Sequence, residues 1–355
     1  MRTKANRHAV RNLYVFGAGA SYAITAGNKE KNIAPLDATF CSEIKKMKSP
    51  KWVNLAAERV ESDFVHHADF SKTGLEELVC QQLSDLSFIQ AIWKRAKLGK
   101  RSPEDFLDDL VHLIAHRLKS CKAKRPDQVS EFLNRAMKGD GEKAVKDRII
   151  TFNYDTILDD ILLKRFSPQQ VYFDNIDQSE ANQPGEKYPL LLKLHGSINW
   201  RCKKTEYGKI FDEPVEREKS PTKTYDTKDC HRIDDIRFDP SVCNTSSSDI
   251  PLIIPPIPQK PITSVSIFRY LWSYAFEYLS EAKDIILVGY SLPPTDRLAV
   301  SLFSNFKNSN LNNLTIIDPN EEVLGRWIKL FKRNGLKNHD VHYYQDFNDY
   351  LKRKF

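Results

Sequence analysis

The sequence predicts an α/β protein: a Rossmann-like, mostly parallel sheet with helices on both faces and an inserted helical subdomain. Three observations predict it. Short apolar runs rich in β-branched residues recur at 13–16, 148–152, 190–194, 252–254, 285–288 and 314–317, with a weaker one at 341–344. Most are apolar at consecutive positions, as strands buried on both faces are. Amphipathic stretches with helical spacing separate several of them, and strand–helix alternation implies a parallel sheet covered on both sides.

In chain order, the first run ends at Gly17-Ala18-Gly19-Ala20-Ser21. From roughly 37 to 147 the pattern is helical throughout, and this stretch reads as a helical subdomain inserted between the first and second strands. Within it, Ser102-Pro103-Glu104 has the form of an N-cap, an N1 proline and an acidic first turn. Phe106, Leu107, Leu110, Leu113 and Ile114 follow at helical spacing. The second and third strands are expected to run into Asn153-Tyr154-Asp155 and His195-Gly196-Ser197. The stretch 201–249 is polar, dense in Lys, Asp, Ser and Thr, and almost without periodicity; it reads as a long, partly mobile insertion able to fold over a site. Farther on, 264–282 carries Phe268, Leu271, Trp272, Ala275, Phe276 and Leu279 on one helical face. The stretches 295–308 and 320–334 read similarly, and there are no internal repeats. The whole of 1–355 is expected to form one domain.

Bulk composition bounds the function. The chain has 355 residues, 41% hydrophobic and 28% charged, which is ordinary for a globular protein. No apolar run approaches the roughly 18 residues of a membrane span. The basic N-terminus enters the first strand without a signal-peptide core, so a cytoplasmic location is expected and no membrane contact. Six cysteines without a CxxC pair argue against a disulfide framework and a zinc ribbon. A looser site of Cys202, Cys230, His231 and Cys243 is conceivable, but no metal is expected. The net charge of +7 suits an anionic ligand, yet the basic residues are mixed with acids and carry no nucleic-acid signature.

Position points to the chemistry. In open parallel sheets, ligands bind beyond the carboxyl ends of the strands. Six polar or glycine-rich segments fall at such ends: the Gly17 loop, Asn153-Tyr154-Asp155, His195-Gly196-Ser197, Pro255-Pro256, Gly289-Tyr290-Ser291 and Asp318-Pro319-Asn320. Glycines at 17 and 19 would let the backbone approach a pyrophosphate, with N–H groups of the following helix start binding its oxygens. The same loop also has a purely structural reading as a tight turn. Tyr22 stands where a dinucleotide fingerprint has its third glycine, and Asp37 is not at a second strand end. Both disfavour a hydride-transfer enzyme.

Asn153 and His195 are each ordinary alone, a turn residue and a structural histidine. Together beside a phosphate loop they suit cleavage of a ribose–nicotinamide bond. That leaving group departs as a neutral pyridine, so the demand is for a stabilised oxocarbenium-like transition state and an oriented nucleophile. Asn can hold a ribose hydroxyl or water, and His can take a proton. Asp155 could bind the carboxamide, orient the ribose, or simply start a helix.

These motifs resemble the sirtuin superfamily. Gly17-Ala18-Gly19-Ala20-Ser21 looks like its phosphate loop, and Phe152-Asn153-Tyr154-Asp155 is similar to its Gln-Asn-x-Asp segment. Leu194-His195-Gly196 resembles its catalytic His-Gly, and Gly289-Tyr290-Ser291-Leu292 a later glycine-serine loop. Asp318-Pro319-Asn320 falls where an Asn binds the adenosine ribose. The order matches from 12 to about 320. Phe152 replaces the Gln of the protein deacylases, and both zinc-binding CxxC pairs are absent. Pro35-Leu36-Asp37-Ala38-Thr39-Phe40 stands where the deacylases carry a Gly-Ile-Pro run.

The block from Lys193 to Trp200, with Pro256 and Lys260, looks like the bacterial sirtuin-like NAD hydrolases of antiphage defence. The resemblance implies NAD as substrate, Asn153 and His195 as catalytic residues, and a pocket lined by Gly17, Ala18, Gly19, Ala20, Ser21, Asp155, Gly289, Tyr290, Ser291 and Asp318. An NAD-depleting effector must be silent until needed, which implies a regulatory partner protein or a homo-oligomer. The product is linear or cyclic ADP-ribose. A non-catalytic NAD or ADP-ribose sensor and a protein-lysine deacylase are the competing readings.

Overall fold

The computed structural model describes residues 10–26, 28–29, 32–63, 70–72, 74–79, 103–123, 132–133, 147–172, 190–205, 207, 237–238, 249–256, 265–294, 296–332 and 340–354. Its strands are β1 (Asn12–Phe16), β2 (Arg148–Thr151), β3 (Leu191–Lys193), β4 (Gly196–Lys203), β5 (Arg237–Phe238), β6 (Asp249–Ile253), β7 (Asp284–Val288), β8 (Asn313–Ile317) and β9 (Val341–Tyr344). The described helices are α1 (Ala18–Thr25), α2 (Asp37–Lys46), α3 (Lys51–Asp63), α4 (Pro103–Leu118), α5 (Ile157–Leu162), α6 (Pro168–Val171), α7 (Ser266–Glu281), α8 (Arg297–Asn305), α9 (Glu321–Lys332) and α10 (Phe347–Lys354).

Six strands form one sheet in the order β3-β2-β1-β7-β8-β9, and every pairing in it is parallel. The chain winds outward from β1 to β3, returns to the centre, and winds outward again through β7 to β9. That is the doubly wound dinucleotide-fold order, and it places the topological switch point between β1 and β7. Leu13, Tyr14, Val15 and Phe16 are all buried, as are Ile285 to Val288, so both faces of the central strands are covered. Their unbroken apolar pattern reflects this double burial.

The sequence reading differs from the structure in several places. The run at 252–254 is not in the parallel sheet: it belongs to β6, which pairs antiparallel with β4 in a second sheet, β5-β4-β6. Pro255-Pro256 therefore does not share the carboxyl edge with the other segments, although Pro256 still reaches the same cavity. The supposed insertion from 201 begins inside β4, and Arg237–Phe238 is a strand within it. Buried Asn199 and Arg201 hid β4 from an apolar-pattern reading. Within 37–147 the described portions are helical, with α3 packed on α4. Helix α4 begins at Pro103 as expected, while Ser102 lies outside the described residues. On α7, Phe276 is exposed, and Tyr278 is buried with the predicted stripe. Of the conceivable metal set, Cys230, His231 and Cys243 lie outside the described residues, as does Lys260.

Candidate functional site

The floor of the site is main chain. Gly17 N donates to Val288 O at 3.0 Å, Gly19 N to Gly289 O at 2.9 Å, and Ala20 N to Gly17 O at 3.0 Å. The loops after β1 and β7 are thus interlocked across the switch point. A Cβ on Gly17 would lie 2.5 Å from Gly289 O, and one on Gly289 would lie 2.1 Å from Ala20 N. Gly289 also has φ +57°, a conformation that costs an L side chain strain. These glycines serve close backbone approach. Three of the N–H groups expected to cradle a pyrophosphate are used within the protein, which leaves Ala18 N–H and the α1 dipole at that point.

Asn153 follows β2. Its Nδ2 donates to Gly17 O and to Ser21 Oγ, both at 2.8 Å. Gly17 O can only accept, so the amide orientation is fixed by its partners. Oδ1 is then the atom without a protein partner among the described residues. Ser21 Oγ donates onward to Asp155 Oδ2 at 2.7 Å, and Asp155 Oδ1 accepts Ile157 N–H at the start of α5. Burial pushes the Asp155 carboxyl above its ordinary value, against the opposing pull of the Lys193 ammonium. Asp155 is a helix-start carboxylate, and through Ser21 it also braces Asn153.

His195 sits in the two-residue turn between β3 and β4, not on a strand end. Its backbone is pinned from three sides. Ile254 N donates to His195 O at 2.8 Å, Trp272 Nε1 donates to Leu194 O at 3.0 Å, and Gly196 (φ +81°) lies against β6. A Cβ on Gly196 would meet Leu252 O at 2.1 Å, so glycine is required there. The imidazole packs edge-on to Phe152 at 5.3 Å between centroids, and Phe152 stacks on Tyr290 at 4.2 Å with rings 8° from parallel. Tyr154 Oη donates to Ile254 O at 2.7 Å, and burial holds the Tyr154 and Tyr290 phenols well above their ordinary values.

These groups line one cavity of about 970 Å3. Its walls include Ala18, Gly19, Ala20, Ser21, Asn153, Asp155, His195, Gly289, Tyr290, Ser291 and Asp318, so every predicted site residue except Gly17 faces it. Gly17 lies beneath, as the acceptor for Asn153. Asn320 is not on this wall; it is exposed, and its Oδ1 accepts Glu322 N–H in the first turn of α9. Sequence reading missed Asp296, whose Oδ2 lies 3.5 Å from His195 Nε2. An Asp ahead of an amphipathic run signals an N-cap, which Asp296 also is, and nothing local announces its long-range neighbour. Reading also missed the charge of the cavity. Asp37, Glu76, Asp155, Asp296, Asp318 and Asp346 line it, with no Lys or Arg among the described lining residues. Among the described residues no three His, Cys, Asp or Glu side chains are grouped to hold a metal. No described helix is long and apolar enough to cross a membrane.

A cavity at the carboxyl edge of a doubly wound parallel sheet is where such α/β folds bind their ligands. Residues 147–224, which carry Asn153, Asp155, Lys193 and His195, match the SIR2-like domain family. No curated protein matches the chain. Solved structures similar to it include one from a study of sirtuin substrate affinity, at 13% identity, covering 97% of this chain and 93% of that one with a TM-score of 0.37. Sir2 bound to an acetylated peptide covers 97% and 92%, at 13% identity and a TM-score of 0.37. Sir2 with a p53 peptide and NAD+ has the same coverage and identity and a TM-score of 0.30.

Proposed function

We propose that the protein is an NAD glycohydrolase, which uses Asn153 and His195 to cleave the bond between ribose and nicotinamide. The observation that carries this reading is the clamp on Asn153. Both amide hydrogens are engaged by Gly17 O and Ser21 Oγ, so Oδ1 is presented as a fixed acceptor on the wall it shares with His195. A fixed acceptor can hold a ribose hydroxyl or a water without reorganising as charge develops. His195 takes the proton from the attacking water as the C–N bond breaks. Nicotinamide leaves neutral with the bond's electron pair, and ADP-ribose and one proton complete the balance. The rings of Phe152 and Tyr290 form one wall beside the imidazole. The carboxylate lining suits a ligand whose reactive ring is cationic and whose transition state carries positive charge on the sugar.

In this reading NAD is the substrate, no metal takes part, and the α1 N-terminus lies under the pyrophosphate. The wider role follows the same line. The protein acts in the cytoplasm as an NAD-depleting effector of antiphage defence, restrained by a partner or by assembly. In the same reading, 37–147 is an inserted helical subdomain and 201–249 a polar insertion able to fold over the site.

Incubation with NAD and chromatographic product analysis tests the activity, alone and with candidate activators. Asn153→Ala and His195→Ala are each expected to lower nicotinamide release by about 10²-fold or more. Undiminished release by both variants would overturn the mechanism, and binding without cleavage under every condition would make the protein a sensor.

A further inference from the structure

Asp296 and His195 come from opposite winds of the sheet. Asp296 follows the loop after β7, where Leu292 adopts φ +50°, and His195 comes from the β3–β4 turn. Both side chains are buried, with 6% and 8% exposure, and Oδ2 faces Nε2 at 3.5 Å. Each carboxylate oxygen has a separate task. Oδ1 accepts Ala299 N–H as the N-cap of α8, and Oδ2 accepts the Tyr290 hydroxyl at 3.3 Å. Tyr290 is itself immobilised by its stack on Phe152, the ring that also borders His195. The carboxylate is therefore held in place beside the imidazole without depending on the histidine.

We propose that Asp296 is the positioning residue of the reaction: it fixes the His195 tautomer with the proton on Nε2 and stabilises the imidazolium formed when Nδ1 takes the proton from water. This rests on the hydrolase reading above. The balance is one proton, from the water hydroxyl to Nδ1, with the new positive charge paired to Asp296. A carboxylate oriented on a histidine in a dry site supplies both tautomer control and charge compensation. Other titratable groups around the pair are the Tyr154 and Tyr290 phenols, held protonated by burial, and the carboxylates of Asp37 and Glu76 across the cavity. Asp296 is the carboxylate within ion-pair distance of His195 among the described residues.

The test uses the full chain with 13C-labelled histidine, His195→Gln assigning the resonance. Asp296→Asn keeps an N-cap of nearly equal quality and removes the charge. The His195 titration midpoint is expected to fall by about one unit or more. The acid limb of the kcat/KM profile should move with it, and kcat should drop about tenfold or more. Tyr290→Phe, which keeps the stack and frees Oδ2, should move the midpoint the other way. A midpoint unmoved in both variants would overturn the pairing whether or not nicotinamide is released. A rate loss equal at every pH, with no shift of the limb, would mean that Asp296 only caps α8 and would overturn the catalytic part. Shifted midpoints in a protein that never cleaves NAD would leave the pairing and remove its use in hydrolysis.

Discussion

Asp155 shows how one side chain's environment reverses a familiar pH rule. An acid whose folded pKa lies below its unfolded one stabilises a protein above the ordinary carboxylate range and loses that contribution in acid. Burial raises the Asp155 pKa, so the folded protein holds a proton that the unfolded chain has already released. The stability cost of this carboxylate is fully present above its raised value and is relieved as pH falls from there toward the ordinary carboxylate range. Urea unfolding of wild type and Asp155→Asn should therefore show the difference moving in favour of wild type between pH 7 and pH 4, roughly the ordinary carboxylate value. A difference independent of pH, or moving the other way, would contradict this. Individual site residues were readable because each follows a run of apolar residues, Asn153 after β2 and His195 in the turn after β3. What Asn153 and Ser21 bond to was not readable, because their partners are more than a hundred positions away.

At the scale of elements, the start of α5 is tied to β3 by a buried polar knot. Lys193 Nζ donates to Asp159 Oδ2 at 2.8 Å and also to Asp155 O, and Tyr172 Oη donates to Asp159 Oδ1. Asn199 Nδ2 on β4 reaches Tyr172 Oη at 3.3 Å. Lys193 and Asp159 are almost wholly buried, so the cost of removing one partner is that of an uncompensated charge. Lys193→Met should lose about 3–5 kcal/mol of stability, and the double change with Asp159→Leu should recover part of it. Equal loss in single and double variants would show that packing dominates. The strands of the parallel sheet were legible because double burial leaves an unbroken apolar run. β4 was not, since Asn199 and Arg201 lie buried among its apolar residues. β6 was found but misassigned, because a short apolar run does not encode which sheet it joins.

For the whole molecule, the sheet order sets the direction in which the proposed dinucleotide substrate would lie. The Asn153/His195 end is on the β2–β3 side of the switch point, and Asp318 and Asp346 line the cavity beyond β8 and β9. If the reacting ribose lies at the first end, the adenosine half extends toward the second. There Asp318 Oδ1 accepts Asn320 N–H, and burial raises its carboxyl. A ribose hydroxyl can satisfy such an acid, and a 2′-phosphate is repelled by it. The kcat/KM for NAD should exceed that for NADP by about tenfold or more, and Asp318→Asn should narrow the ratio. Equal use of the two nucleotides would contradict this placement. Strand–helix alternation announced the fold class, while the order β3-β2-β1-β7-β8-β9 depends on pairings across the full chain that no local pattern specifies.

The interlocked glycine loops also set a timetable during synthesis. β1 is made first but lies between β2, at 148–151, and β7, at 284–288, so its two neighbours leave the ribosome long after it does. At translation rates of about 5–20 residues per second, the cavity floor stays open for more than about ten seconds. A nascent chain halted before Gly289 holds both Asn153 and His195, yet lacks the loop that closes the floor beneath them. Under the hydrolase reading, the chain cannot work until β7 and the loop after it close that floor.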